Sequence, residues 1–269
     1  MNKKSESTIK KMVSKLRFQN YAETTISTYI NYAEMFLSHF KQDVYHIPVK
    51  DAQHFLENYN YSSTSKQNQI ISSVKFLYIN VVGSKLNTLN IKRPKRKDKL
   101  PRVIDAELLA DKIKSIKNIK HRAILQIGLS CGLRISEVIN LKWENLDRKR
   151  NILKVVNGKG GKDRSTVLNN DMIDVLDKYW RKHKSIEYVF NGQKLPKYSS
   201  SSIQQLVKKY IDKKESFHLL RNSYATFAID NGTELKPLSV SMGHKSTKTV
   251  EMYYFHQSTR TLKTIRQAI

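Results

Sequence analysis

Two stretches of helical hydrophobic periodicity flank a run that cannot share it. Residues 92–102 read Lys-Arg-Pro-Lys-Arg-Lys-Asp-Lys-Leu-Pro-Arg, with seven basic side chains, two prolines and no apolar repeat. Proline removes backbone donors and like charges repel, so this run is expected to be an extended linker. It divides the chain into a block of residues 1–91 and a block of residues 103–269. At 269 residues in total, each block is long enough to bury its own core.

In the first block, Ile26, Tyr29, Ile30, Ala33, Phe36 and Leu37 recur at helical spacing. Ile70, Ile71, Val74, Leu77 and Tyr78 do the same after a Ser-Ser-Thr-Ser start signal. Helices are expected near 6–17, 22–40, 48–58 and 64–80, with lysines and polar residues on their outer faces. The block holds no catalytic constellation and reads as a small helical module. In the second block, residues 105–116 and 121–132 read as helices. Residues 151–168 then alternate around a glycine turn, which predicts a β-hairpin. Helices are expected again near 170–183, 200–213, 217–231 and 247–254, with a short one at the C-terminus. Ser199–Ser202 is placed as a loop that caps the helix after it. The fold class is therefore mainly α with a small β-hairpin or sheet.

The charge is lopsided: Lys and Arg total 49 against 23 Asp and Glu, a formal net charge of +26. A Lys-biased proteome usually raises Glu alongside Lys, so the surplus points to a polyanion whose counterions are released on binding. No segment has the apolar length to span a bilayer, and no strongly apolar amphipathic face accompanies the charge. No secretory signal is expected at the start of the chain, since residues 3–18 lack an apolar core. The single cysteine, Cys131, has no internal disulfide partner and is expected to be a small buried hydrophobe. Gly158-Lys-Gly-Gly-Lys162 is no phosphate loop, because the glycine spacing is wrong and Asp163 follows the lysine. Scattered histidines, no Cys-x-x-Cys and no nucleophile elbow argue against a metal site or a serine hydrolase. Neither a metal nor any other cofactor is expected.

Four segments carry the chemistry. They are Gly132-Leu-Arg134-Ile-Ser-Glu137, Gly158-Lys159-Gly-Gly-Lys162-Asp-Arg164, His218-Leu-Leu-Arg221, and Gly243-His244 followed nine residues later by Tyr253. Two arginines, two histidines, a lysine and a tyrosine suit attack of a tyrosine on a DNA phosphate. An attacked phosphodiester gathers charge on its non-bridging oxygens, so two planar guanidiniums, Arg134 and Arg221, form the natural clamp. His244 adds a hydrogen-bond donor. Lys159 can protonate the leaving 5′ oxygen, and His218 can accept the phenol proton or orient the tyrosine. A phenol of pKa about 10 is both a usable nucleophile and a fair leaving group, which keeps the step reversible. Nine residues at about 100° each would put His244 and Tyr253 on opposite sides of one helix, so the chain must turn between them. Gly243 and the Ser246-Thr247 capping signal permit that turn.

In their order and spacing these segments resemble the tyrosine recombinase, or phage-integrase, family, and within it the compact Xer-like and archaeal-type members. The resemblance spans nearly the whole chain and implies a helical, SAM-like core-binding domain over residues 1–91, a basic linker over 92–102, and a catalytic domain over 103–269. It implies that catalysis rests on Arg134, Lys159, His218, Arg221, His244 and Tyr253. Tyr254 is the alternative nucleophile, because Tyr254-Phe255-His256 would match the family's Tyr-x-His, and Lys162 is the alternative to Lys159. Arg164 is expected at the DNA backbone, Glu137 as a support for its helix or for Arg134, and Tyr224 as a packing residue.

The resemblance further implies a site-specific recombinase that clamps double-stranded DNA between its two domains at inverted-repeat core sites. Four protomers would synapse two sites and exchange strands through a Holliday junction. An accessory DNA-bending or directionality protein is a further partner it implies, and a nucleoid-associated, cytoplasmic location follows. No arm-binding domain of the lambda-integrase kind is expected ahead of the helical block. The tail 257–269, with Leu262, Ile265 and Ile269 at near-helical spacing, is read either as docking on a neighbouring protomer or as packing on its own domain. Two rival readings are a type IB topoisomerase and a non-catalytic DNA-binding protein of the same fold.

Overall fold

The computed structural model describes residues 3–40, 42–83, 91, 93–94, 102–156, 158, 163–193, 195–244, 247 and 250–251. The chain separates into two compact units, Met1–Asp98 and Lys99–Ile269. Of the basic run at 92–102, Arg93, Pro94 and Arg102 are described. Arg93 donates to Ser72 Oγ at 3.1 Å within the first unit. Arg102 pairs with Glu215 at 2.8 Å and accepts from Asn222 Nδ2 at 3.1 Å within the second.

The first unit is helical throughout: α1 (Lys3–Phe18), α2 (Glu23–Phe40), α3 (Val49–Asn58) and α4 (Thr64–Leu77), the last running into a wider turn over Tyr78–Val82. The apolar positions at helical spacing are the ones that meet. Ile26, Ala33, Phe36 and Leu37 of α2 are buried with Ile70, Ile71, Val74 and Leu77 of α4, while Met12, Leu16, Ala52 and Leu56 close the core from α1 and α3. Phe36 and Phe55 meet edge to face at 5.3 Å. Ser63 starts α4 as its hydroxyl accepts from the Lys66 amide at 3.2 Å.

The second unit is built around α6 (Ile119–Cys131). Ala123, Ile124, Leu125 and Ile127 on it have no exposed surface, which is what apolarity on all sides of a helix requires. Around it lie α5 (Ala106–Lys114), α7 (Ile135–Ile139), α8 (Asn170–His183), α9 (Ser200–Tyr210), α10 (His218–Asp230) and α11 (Leu235–Met242). Asp105, Asn118, Asn169 and Ser199 cap α5, α6, α8 and α9 with side-chain oxygens. The hairpin, β2 (Ile152–Val155) and β3 (Arg164–Val167), gains a third antiparallel strand, β1 (Leu146–Asp147), in the order β1-β2-β3. Val155 pairs with Arg164 at the end of the β2–β3 ladder nearest the turn. Inward-facing Leu153, Val155 and Thr166 are buried, and Thr166 Oγ1 donates to Cys131 O at 3.1 Å. Cys131 is buried as expected, and burial pushes its thiol up to about 12. Among the described residues no helix is long and apolar enough to cross a membrane, and no group of three or more His, Cys, Asp or Glu could hold a metal ion.

Candidate active site

All four motif segments meet at one end of α11, the second of them through Arg164, and each is delivered by an ordinary feature of local structure. Helix α6 ends at Gly132 in the left-handed conformation, and Leu133 behind it is fully buried. These two fix Arg134 as the residue that opens α7. Glu137, three residues on, reaches back: its Oε2 accepts from the Arg134 amide at 2.7 Å, and its Oε1 accepts from Arg134 Nη1 at 2.9 Å. Arg134 and Glu137 are therefore an i,i+3 pair, and the carboxylate holds both the start of the helix and the guanidinium.

Helix α10 delivers His218 and Arg221. Its first turn is seated by Phe217, whose amide donates to Gln204 Oε1 of α9 at 2.9 Å and whose ring packs on Gly128 of α6. Leu219 and Leu220 are buried, and Arg221 is the largest fully buried side chain, at 1% exposure. Arg221 donates to the carbonyls of Gly132 and Met242, and its Nη2 lies 2.9 Å from His244 Nε2. His218 presents surface to solvent at the N-terminus of the helix. Tyr224, further along α10, packs against Gly132.

Helix α11 and the turn after it bring in His244. Gly243 takes the left-handed conformation, φ +63°, and ends the helix. Beyond it, the Thr247 carbonyl accepts from the amides of Val250 at 2.7 Å and Glu251 at 2.9 Å. Val250 is buried against Ala225 and Ile229 of α10 and Leu238 and Met242 of α11.

The electrostatics are those of an anion site. Burial lowers the His244 imidazole to about 4, with Arg221, Arg134, His218 and Arg164 adding to the effect in that order. Burial also lowers His218 below the usual imidazole value, helped by Arg221 and Arg134. Although His218 is exposed by area, protein atoms and guanidiniums crowd it enough to disfavour its cation. Both rings are thus neutral at pH 7 in a field that rejects further positive charge. His244 Nε2 faces a guanidinium that can only donate, so the ring proton sits on Nδ1, a buried atom with no hydrogen-bond partner among the described residues.

Arg164 corrects an expectation. Instead of facing the DNA backbone, its side chain is 5% exposed and forks onto Glu137, Nη1 to Oε1 at 3.0 Å and Nη2 to Oε2 at 2.9 Å. Its Nε donates to Ser241 O at 2.7 Å. Lys159, its alternative Lys162, Tyr253 and its alternative Tyr254 all lie outside the described residues.

Comparison with known proteins fits this arrangement. The Phage integrase family matches residues 101–260, and the phage integrase N-terminal SAM-like domain matches residues 8–88. The tyrosine recombinase XerA of Pyrococcus horikoshii is 29% identical over 267 residues, covering 94% of this chain and 89% of the relative. The tyrosine recombinase XerD of Vibrio cholerae is 25% identical over 270 residues, covering 90% and 88%. Among solved structures, the XerH site-specific recombinase bound to palindromic difH substrate in a post-cleavage complex superposes with a TM-score of 0.71 at 19% identity. That match covers 91% of this chain and 80% of that one, and it shows the shared fold. The chain belongs to the phage integrase family and is a tyrosine-type site-specific DNA recombinase.

Proposed function

We propose that the residues gathered at the end of α11 bind one scissile DNA phosphate and that Tyr253 attacks it. The observation that carries this reading is the pairing of two guanidiniums, Arg134 and Arg221, with two imidazoles held neutral beside them. The guanidiniums meet the charge that grows on the non-bridging oxygens, and His244, whose Nε2 accepts from Arg221, holds that guanidinium in place. A neutral His218 takes the proton from the Tyr253 phenol as its oxygen bonds to phosphorus. The 5′ oxygen leaves with a proton from the Lys159 ammonium, and the strand stays linked to the protein as a 3′-phosphotyrosine. Reversal with a 5′ hydroxyl from a second strand rejoins the DNA.

On this reading the substrate is duplex DNA carrying inverted-repeat core sites. Four copies of the chain synapse two sites and exchange strands in pairs through a Holliday junction. Residues 1–91 grip the duplex, the basic run 92–102 follows its backbone, and residues 103–269 do the chemistry. The work is integration and excision of a mobile element or resolution of chromosome dimers, at the nucleoid and with room for an accessory DNA-bending protein. The test is incubation with a nicked suicide duplex. The wild type is expected to give a DNA-linked band on a denaturing gel and Tyr253→Phe none. A band kept by Tyr253→Phe and lost by Tyr254→Phe would move the nucleophile by one residue, and no band from the wild type would defeat the reading.

A further inference from the structure

The three carbonyls that close α11 are each taken by a different guanidinium. Arg164 Nε donates to Ser241 O at 2.7 Å, Arg221 Nη2 to Met242 O, and Arg134 Nη2 to Gly243 O at 3.0 Å. The last turn of a helix leaves its carbonyls without intrahelical partners and carries the negative end of the helix dipole, so it attracts cations. Arg134 and Arg221 belong to the phosphate clamp. Arg164 has no place in that chemistry, yet it is buried as thoroughly as the carboxylate it holds, each side chain being 5% exposed.

Glu137 explains why. Each of its oxygens accepts twice: Oε1 from Arg134 Nη1 and Arg164 Nη1, and Oε2 from the Arg134 amide and Arg164 Nη2. With Arg164 in place, Arg134 reaches Glu137 through Nη1, while its Nη2 is turned to Gly243 O. Take Arg164 away and both carboxylate oxygens become available to the Arg134 fork, which would close on Glu137 as a bidentate pair and draw back from a phosphate. Ser241 O would also lose its donor, loosening the turn that carries His244. Space is already short there: a Cβ at Gly243 would lie 2.8 Å from Arg164 Cδ and 3.4 Å from Arg134 Nη1.

We propose that Arg164 is a positioning residue for strand cleavage. Through Glu137 and the Ser241 carbonyl it sets the spacing between Arg134 and the Gly243–His244 turn, without touching DNA. The inference rests on the phosphate-clamp reading above.

The experiment is single-turnover cleavage of the nicked suicide duplex by the full chain, at saturating protein, with DNA affinity measured alongside. Arg164→Gln is expected to lower the cleavage rate constant on the order of 100-fold while affinity stays within about twofold. Arg164→Lys keeps the charge but not the fork, so it should recover only part of the rate. Glu137→Gln combined with Arg164→Gln should be no slower than the worse single variant, because the two act as one unit. A purely structural role would cut the amplitude of the reaction, the folded fraction, and leave its rate constant alone. That result, or a loss of affinity that matches the loss of rate, overturns the inference. If Arg164→Gln does not fold, the Arg164→Lys rate constant decides the question in the same way. Failure of the parent reading looks different: no DNA-linked product from the wild type, or Arg134→Ala cleaving at the wild-type rate.

Discussion

At the scale of single residues, the site is governed by what burial does to charge. Arg221 is almost wholly hidden, and its two terminal nitrogens hold Gly132 O and Met242 O at once. A lysine presents one point charge where this geometry uses a planar fork. Arg221→Lys is therefore expected to lower suicide-substrate cleavage by roughly 100- to 1000-fold, the range for losing a donor to a developing oxyanion, and to lower the melting temperature as well. The imidazoles give a second expectation. His244 titrates near 6.5 when unfolded and near 4 when folded, so between those values the unfolded state binds more protons. Its contribution is complete above pH 6.5 and is lost as pH falls through that window. Thermal denaturation at stepped pH should show stability falling from about pH 6.5 toward 4, and His244→Gln should flatten that slope. An unchanged slope in His244→Gln would place the pH dependence elsewhere.

At the scale of elements, the end of α11 is the piece on which the site depends. Gly243 there holds a left-handed backbone, which costs an L-residue roughly 1–2 kcal/mol, and its missing Cβ leaves room for Arg164. Gly243→Ala should lower the melting temperature and reduce cleavage, whereas Ser63→Ala, a cap of α4 in the other unit, should reduce stability by about 1 kcal/mol and leave the cleavage rate unchanged. Calorimetry and the suicide-substrate assay check both. Most helices were legible in the sequence because their apolar positions recur at 3.6-residue spacing, as α2, α4 and α8 show. Helix α11 was not, because Pro237 reads as a breaker although it sits in the first turn, where a proline removes no intrahelical bond. Strand β1 is two residues long and exists only by pairing with β2. The motif arginines were legible from their company, Arg134 with Glu137 and Arg221 with His218. The contacts of Arg164 were not, since a strand-end arginine after a lysine-rich turn reads as a contact to the DNA backbone. Its burial against Glu137 and Ser241 O joins α7, β3 and α11, and sequence spacing carries no trace of contacts between those elements.

At the scale of the whole molecule, the net charge of +26 says what kind of surface the chain seeks, and the linker concentrates that charge. Every phosphate neutralised on duplex DNA adds about 0.9 to the slope of log affinity against log salt. Replacing Lys95, Arg96 and Lys97 by glutamine is expected to lower that slope by up to about 3 and to weaken binding alike on specific and random DNA. Binding titrations across a salt series measure both. A slope equal to the wild type would mean that the linker does not lie on the backbone. On the proposed reading the labour is divided: charge spread over both units holds DNA, and a small buried cluster at one helix end does the chemistry. The most direct measurement of that chemistry is mass spectrometry of the peptide trapped on a suicide duplex. Tyr253 is expected to carry a 3′-phosphoryl nucleotide, and a wild-type protein that carries its DNA on any residue other than Tyr253, or on none, would overturn the proposed chemistry.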